Sequence, residues 1–183
     1  MPASDEQLML AYAGGDAAAF EALYARHKGP LFRFVLRSVK GEAQAEEIFQ
    51  EVWMRAIEAR SRYRPEAKFT TWLFTIAHNR LVDHWRAKGL SLVSLDDEER
   101  AAVEPVAPPS AEPHANLEAS RTAQRLAAAI AALPLAQREA FLMHQEGDLS
   151  VQEIAAATGT NEEAAKSRLR YAMGKLKEAI GDE

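Results

Sequence analysis

The chain has 183 residues, 48 % of them hydrophobic, and a formal net charge of −5; that length suits one medium domain or two small ones. It contains no cysteine, which excludes disulfides and thiolate metal sites and suits a reducing cytoplasm. The acidic N-terminus, MPASDEQLMLAYAGGD, is no signal peptide, and no apolar run approaches the roughly 18 residues of a membrane span, so a cytoplasmic protein without membrane insertion is expected.

Val, Ile and Thr are sparse outside a few runs and no stretch alternates with period 2, so the class is all-α. Ser4 and Gln7 have capping-box spacing and open a short helix using Leu8, Met9 and Tyr12. Gly14-Gly15 stops it, and Asp16 caps the next helix, which buries Phe20, Leu23 and Tyr24 and runs to Gly29-Pro30. Leu31, Phe32, Val35 and Leu36 carry the pattern on to Lys40-Gly41. A third helix, Ala43 to about Arg60, turns Ile48, Val52, Ala56 and Trp53 inward.

The loop 61–68 leads into FTTWLFTIAHNRLVDHWR, residues 69–86. Leu73, Ile76, Ala77, Leu81 and Trp85 form its buried stripe, and Thr70 or Thr71 can cap it. Thr75, Asn79, Asp83 and Arg86 line the opposite face. Folding requires only that this face be polar, but an amide, a hydroxyl and a guanidinium also suit a nucleic-acid strand. His78 and His84 lack metal-ligand spacing, and no metal or cofactor is expected.

Residues 90–116 hold four of the eight prolines and no sustained period, so they are expected to form a flexible acidic linker. Such a coil spans roughly 30 Å on average and at most roughly 90 Å. Its ends can therefore serve DNA sites one and a half turns, about 50 Å, apart. The expected units are residues 1–89 and 117–183.

The second unit opens with an alanine-rich helix using Leu126, Ile130 and Leu133; Pro134 starts another, with Leu135, Phe141 and Leu142 inward. Ser150 with Glu153 and Thr160 with Glu163 then make two capping-box patterns around Gly159, the pattern of a helix-turn-helix. In the last helix Ala165, Leu169, Ala172, Leu176 and Ile180 form the buried stripe. Ala164, Ser167, Tyr171 and Gly174 face away from it, with Lys166 and Arg170 on one shoulder and Arg168 and Lys175 on the other. Small side chains between two rows of cations suit a helix lying in a major groove. No acid falls between 164 and 177 to pair those cations.

Charge is unevenly placed: residues 1–90 carry 13 Lys/Arg and 11 Asp/Glu, residues 91–117 carry 1 and 6, and residues 118–183 carry 8 and 10. The acidity is thus concentrated in the linker, and screening leaves a local basic helix free to bind phosphates. No catalytic constellation or P-loop appears at usable spacing, so an enzyme is not expected.

Taken in order, three segments resemble the extracytoplasmic-function group of sigma-70-type bacterial sigma factors: AEEIFQEVWMRAIEA (45–59), FTTWLFTIAHNRLVDHWR, and LPLAQREAFLMHQEGDLSVQEIAAATGTNEEAAKSRLRYAMGKLKEAI (133–180). The resemblance implies a factor that binds core RNA polymerase, melts the −10 promoter element and holds the −35 element. It implies that Glu46, Glu47, Gln50 and Glu51 dock on the β′ clamp helices, and that the second unit meets the β flap. Arg62, Tyr63, Arg64, Lys68, Asn79 and Arg86 are implied to take the melted −10 strand, with Tyr63 and its loop receiving a flipped base. Lys166, Ser167, Arg168, Arg170 and Tyr171 are implied to bind the −35 duplex. An anti-sigma factor is a further partner that the resemblance allows. Gln44 stands where the family often has Asp, and Ala164-Ala165 where many members have Thr-Val, which bears on base preference. The linker resembles the segment that threads toward the polymerase active centre, where its carboxylates would mimic nucleic acid. The competing reading is a one-component regulator with an N-terminal sensing domain and a dimeric helix-turn-helix.

Overall fold

A computed structural model describes residues 1–90 and 117–181. The linker expected over 90–116, with its carboxylates, lies outside the described residues except for Leu90. Eight α-helices and no strand occur among those residues: α1 (Asp5–Ala13), α2 (Ala17–Ser38), α3 (Glu42–Glu58), α4 (Phe69–Ala87), α5 (Leu117–Ala132), α6 (Leu135–Gly147), α7 (Val151–Thr158) and α8 (Glu162–Gly181), with a 3-10 turn at Arg60–Arg62. The all-α class and the two helical units are as the sequence implies.

Local chemistry sets most helix ends. Ser4 accepts from the Gln7 N–H while Gln7 accepts from the Ser4 N–H, a complete capping box. Asp16 accepts from the N–H groups of Ala18 and Ala19. Ser150 and Glu153 form the second box. At α8 the cap falls one residue later than Thr160: Asn161 Oδ1 accepts from the Ala164 N–H at 2.7 Å. The reason is the turn before it. Gly159 takes the left-handed conformation (φ 66°) and the Thr160 N–H donates back to Ala155, so Thr160 still belongs to the closure of α7.

Two other ends depart from local expectation. Helix α2 runs unbroken through Pro30, although proline has no N–H for the carbonyl one turn back. Leu31, Phe34 and Val35 beyond it are fully buried, and that burial outweighs one missing hydrogen bond. Neither Thr70 nor Thr71 caps α4. Its first N–H, that of Phe69, donates instead to Glu6 Oε1 of α1 at 3.0 Å, so a carboxylate from 63 residues away serves as the cap.

In the N-terminal unit α1 packs on α2, and α3 packs on both α2 and α4. Its core holds Leu23, Leu31, Phe34, Ile48, Val52, Leu73, Ala77 and Leu81, with Trp85 donating its indole N–H to the Ser38 carbonyl. In the C-terminal unit α8 packs on α5, α6 and α7. Arg138 is buried there, and its guanidinium donates to the carbonyls of Ala131 and Leu133 at the end of α5. Burial brings its pKa down to about 10.

The two units also pack on each other, α6 on α2 and α7 on α4, and one connected apolar cluster runs through both. Helix α6 is consequently buried nearly all round, including Gln137, Arg138 and Glu139.

Replacing Glu6 with Ala removes this side-chain cap of α4 and is expected to cost about 1 kcal/mol, with Glu6→Gln costing less. Urea unfolding of the full chain measures it; an unchanged midpoint for Glu6→Ala would refute the capping role.

Candidate nucleic-acid and partner interfaces

Helix α3 keeps Ile48, Val52 and Ala56 in the core, which leaves Glu46, Glu47 and Gln50 exposed on its far side. Glu51, half-buried at the edge of this face, is bound by Arg80 of α4 through its Nε. That hydrogen bond, with the charges of Arg80 and Arg55, holds the Glu51 carboxyl below the usual carboxylate range despite some burial. Arg55 in turn meets Asp83 of α4 at 3.4 Å. Helices α3 and α4 are therefore clamped by two ion pairs.

Met54, off the buried stripe, is 59 % exposed one turn beyond Gln50. It adds an apolar centre to the acidic face that the sequence reading passed over. The available signal was an apolar residue out of register with Ile48, Val52 and Ala56. The Glu51–Arg80 pair had no such signal.

The residues assigned to the melted strand divide. Arg62 and Arg64 are exposed in the loop, and Asn79 and Arg86 are exposed on α4. Tyr63 is not available as a stacking face. It is 3 % exposed, packs edge-on against Phe69 and Trp72, and donates its hydroxyl to the Ala67 carbonyl at 2.9 Å. Burial, then the charges of Glu6, Asp5 and Glu66, push its pKa up to about 12. The ring closes the core beneath the loop. Trp72, only half-buried, is the aromatic edge this cluster shows outward.

Lys68 is exposed but engaged, its Nζ 3.1 Å from Glu153 of α7. Two other residues on the polar face of α4 are internally bonded: Thr75 donates to the Thr71 carbonyl, and Asp83 meets Arg55. His78 is buried against Glu139, with Nδ1 and Oε1 2.5 Å apart. His84 is half-buried, and burial followed by the charges of Arg80 and Lys88 lowers its pKa.

The outer face of α8 is open. Lys166, Arg170 and Tyr171 are exposed, with Ser167 and Arg168 half-buried beside them. The Arg170 guanidinium stands over the Tyr171 ring at 5.3 Å, which holds both side chains in one place. Lys175, on the other shoulder, donates to Gln137 of α6 at 3.2 Å and is half-buried. Ile180, placed on the buried stripe by its spacing, is 42 % exposed.

A helix-turn-helix whose second helix shows cations and small side chains outward defines the second unit as a duplex-DNA-binding module. Family comparison extends this to the whole chain: residues 23–90 match the Sigma-70 region 2 family and residues 123–176 match Sigma-70, region 4. The chain is 30 % identical to the RNA polymerase sigma factor CarQ of Myxococcus xanthus, over 92 % of either chain. It is 33 % identical to the ECF RNA polymerase sigma factor RpoE of Cereibacter sphaeroides, over 89 % of this chain and 87 % of that one. Among solved structures, CnrH in complex with the cytosolic domain of CnrY superimposes with a TM-score of 0.69 at 23 % identity, covering 98 % of this chain and 99 % of that one.

The chain belongs to the extracytoplasmic-function group of the sigma-70 family. It is an alternative sigma factor that directs core RNA polymerase to promoter DNA. The sensing-domain alternative falls, because the unit it assigned to sensing is region 2. No helix among the described residues is long and apolar enough to cross a membrane.

Removing the Arg80 guanidinium (Arg80→Ala) should raise the Glu51 pKa toward the ordinary carboxylate value. Side-chain carboxyl NMR titration of Glu51 reads this directly. A pKa that stays put would mean that the clamp between α3 and α4 does not form.

Proposed function

We propose that residues 1–89 bind core polymerase through α3 and take the melted −10 strand along α4, while residues 117–183 hold the −35 duplex through α8. The observation that carries this reading is the pairing of an exposed acidic face on α3 with an exposed basic face on α8, each presented by a separate helical unit. Glu46, Glu47 and Gln50 complement basic groups on the β′ clamp helices, and Met54 gives the contact an apolar anchor. Glu51 acts through Arg80, by fixing α3 against α4.

On α4, Asn79 and Arg86 meet the strand from the open face, and Arg62 and Arg64 meet it from the loop. The half-buried Trp72 edge takes the stacking role in place of Tyr63. On α8, Lys166 and Arg170 contact phosphates, Ser167 and Tyr171 approach base edges, and Arg168 steadies the second shoulder. The protein acts by binding, without catalysis of its own, in the cytoplasm. A further partner is an anti-sigma factor, the class of protein that NepR is in its complex with the sigma factor RpoE of Bartonella quintana.

Reversing Glu46 and Glu47 together to Lys should abolish co-elution with core polymerase and run-off transcription while leaving the helical circular dichroism unchanged. Glu51 is left intact because its loss also breaks the clamp to Arg80. Retained co-elution would overturn the docking assignment. Arg170→Ala should weaken binding of −35 duplex and lower the salt slope of log K by about one; a slope equal to that of the parent would show that Arg170 touches no phosphate.

A further inference from the structure

Helix α1 precedes residues 23–90, the part that matches region 2, yet it holds both ends of the loop that carries Arg62 and Arg64. At the start of the loop the Arg60 guanidinium lies over the Tyr12 ring at 5.7 Å and donates to the Ile57 carbonyl at 2.7 Å. At its end the Phe69 N–H donates to Glu6 Oε1 at 3.0 Å. Between these points its own bonds are local. They are a 3-10 turn at Arg60–Arg62, the Ala67 N–H on the Arg64 carbonyl, and the Tyr63 hydroxyl on the Ala67 carbonyl. Glu6 and Tyr12 stand six residues apart on one helix, about 9 Å at its usual rise. A single rigid element thus sets both ends of the loop at once.

Helix α1 is itself anchored on α2. Asp5 takes Arg26 at 3.0 Å and His27 at 2.9 Å, and Arg26 also donates to the Ala3 carbonyl. The His27 ring in turn lies 5.1 Å from that of Phe69. Below the helix Met9 is buried and Tyr12 meets Phe20 at 4.8 Å. An apolar cavity remains there, lined by Met9, Tyr12, Trp53, Phe69 and Trp72 among others. Apolar contact is non-directional, and an unfilled space fixes position less well than close packing. The polar contacts of Asp5, Glu6 and Tyr12 therefore decide where α1 sits.

Two carboxylates beside a phosphate-binding loop would ordinarily repel the strand. Here Asp5 is paired with Arg26, and Glu6 is engaged by the N-terminus of α4. Both acids shape the loop with their charge already answered inside the fold.

Capturing an unstacked base favours a loop already in shape, because ordering it on binding subtracts from affinity. We propose that α1 is the brace for this capture: Glu6 and Tyr12 are positioning residues that hold Arg62 and Arg64 in the conformation the melted strand meets. The brace rests on the strand-binding role given to the loop above.

The test uses holoenzyme assembled from core polymerase and the full chain, with a single-stranded DNA that the parent holoenzyme selects from a randomised pool. Glu6→Ala and Tyr12→Leu should each weaken binding of that strand roughly five-fold, by lowering the fraction of loops in the competent shape. Glu6→Gln and Tyr12→Phe keep the acceptor and the ring, and should stay within about two-fold of the parent. Co-elution with polymerase should be unchanged in all four, whereas a general loss of folding would lower it too. Ala and Leu variants that bind like the parent, or Gln and Phe variants that fall as far as they do, overturn the brace. If Glu6→Ala does not fold, Tyr12→Leu, which keeps an apolar side chain over Phe20, decides. Arg62→Ala with Arg64→Ala tests the loop separately. If that chain loses the strand while the α1 variants keep it, the loop reading stands and the brace falls. If it keeps the strand, or the parent selects none, both fall.

Discussion

Helix α4 is buried on two sides, and that constraint organises the molecule. Leu73, Ala77, Leu81 and Trp85 fill the N-terminal core at helical spacing. Phe74 and His78 lie on a second buried strip, which a surface helix would have left wet. Covering it needs another layer, and α6 with α7 supplies that layer. Burial of α6 on nearly all sides follows. So does the uninterrupted α2, since Leu31, Phe34 and Val35 lie beyond Pro30 and the Phe34 ring meets Phe74 at 5.0 Å between centroids.

Features whose causes are short-range were legible in the chain. The boxes at Ser4 and Ser150 close within three residues, and the stripes of α3, α4 and α8 repeat within one or two turns. The displaced cap at Asn161 shows the limit of such reasoning. Two neighbouring cap formers compete, and the left-handed turn at Gly159 decides between them. What escaped has distant causes. Glu51 pairs across 29 residues, Phe69 is capped across 63, and Arg33 reaches Glu146 across 113. No period or spacing encodes such partners. Gln137, Arg138 and Glu139 look like a solvated face in sequence, yet all three are buried: Gln137 meets Lys175 of α8, Arg138 the end of α5, and Glu139 His78 of the other unit.

The same distinction runs through the candidate sites. The exposed faces of α3 and α8 follow from where the apolar stripe is not, so their residues were readable by elimination. The loop proposed to meet the melted strand was less so, because Tyr63 serves both readings equally well in one dimension. An aromatic among cations is as suitable a base platform as it is a core plug. Burial decides: with its hydroxyl spent on the Ala67 carbonyl and its ring against Trp72, Tyr63 shapes the loop that carries Arg62 and Arg64. Under the proposed function, its contribution to strand binding is the positioning of its neighbours.

Net charge gains a different meaning once the contact between the units is known. Three acids of the C-terminal unit lie against a histidine and two cations of the N-terminal unit, so part of the charge of each is neutralised inside the molecule. These pairs tie α6 and α7 to α2 and α4 at three points, and they leave the basic outer face of α8 exposed.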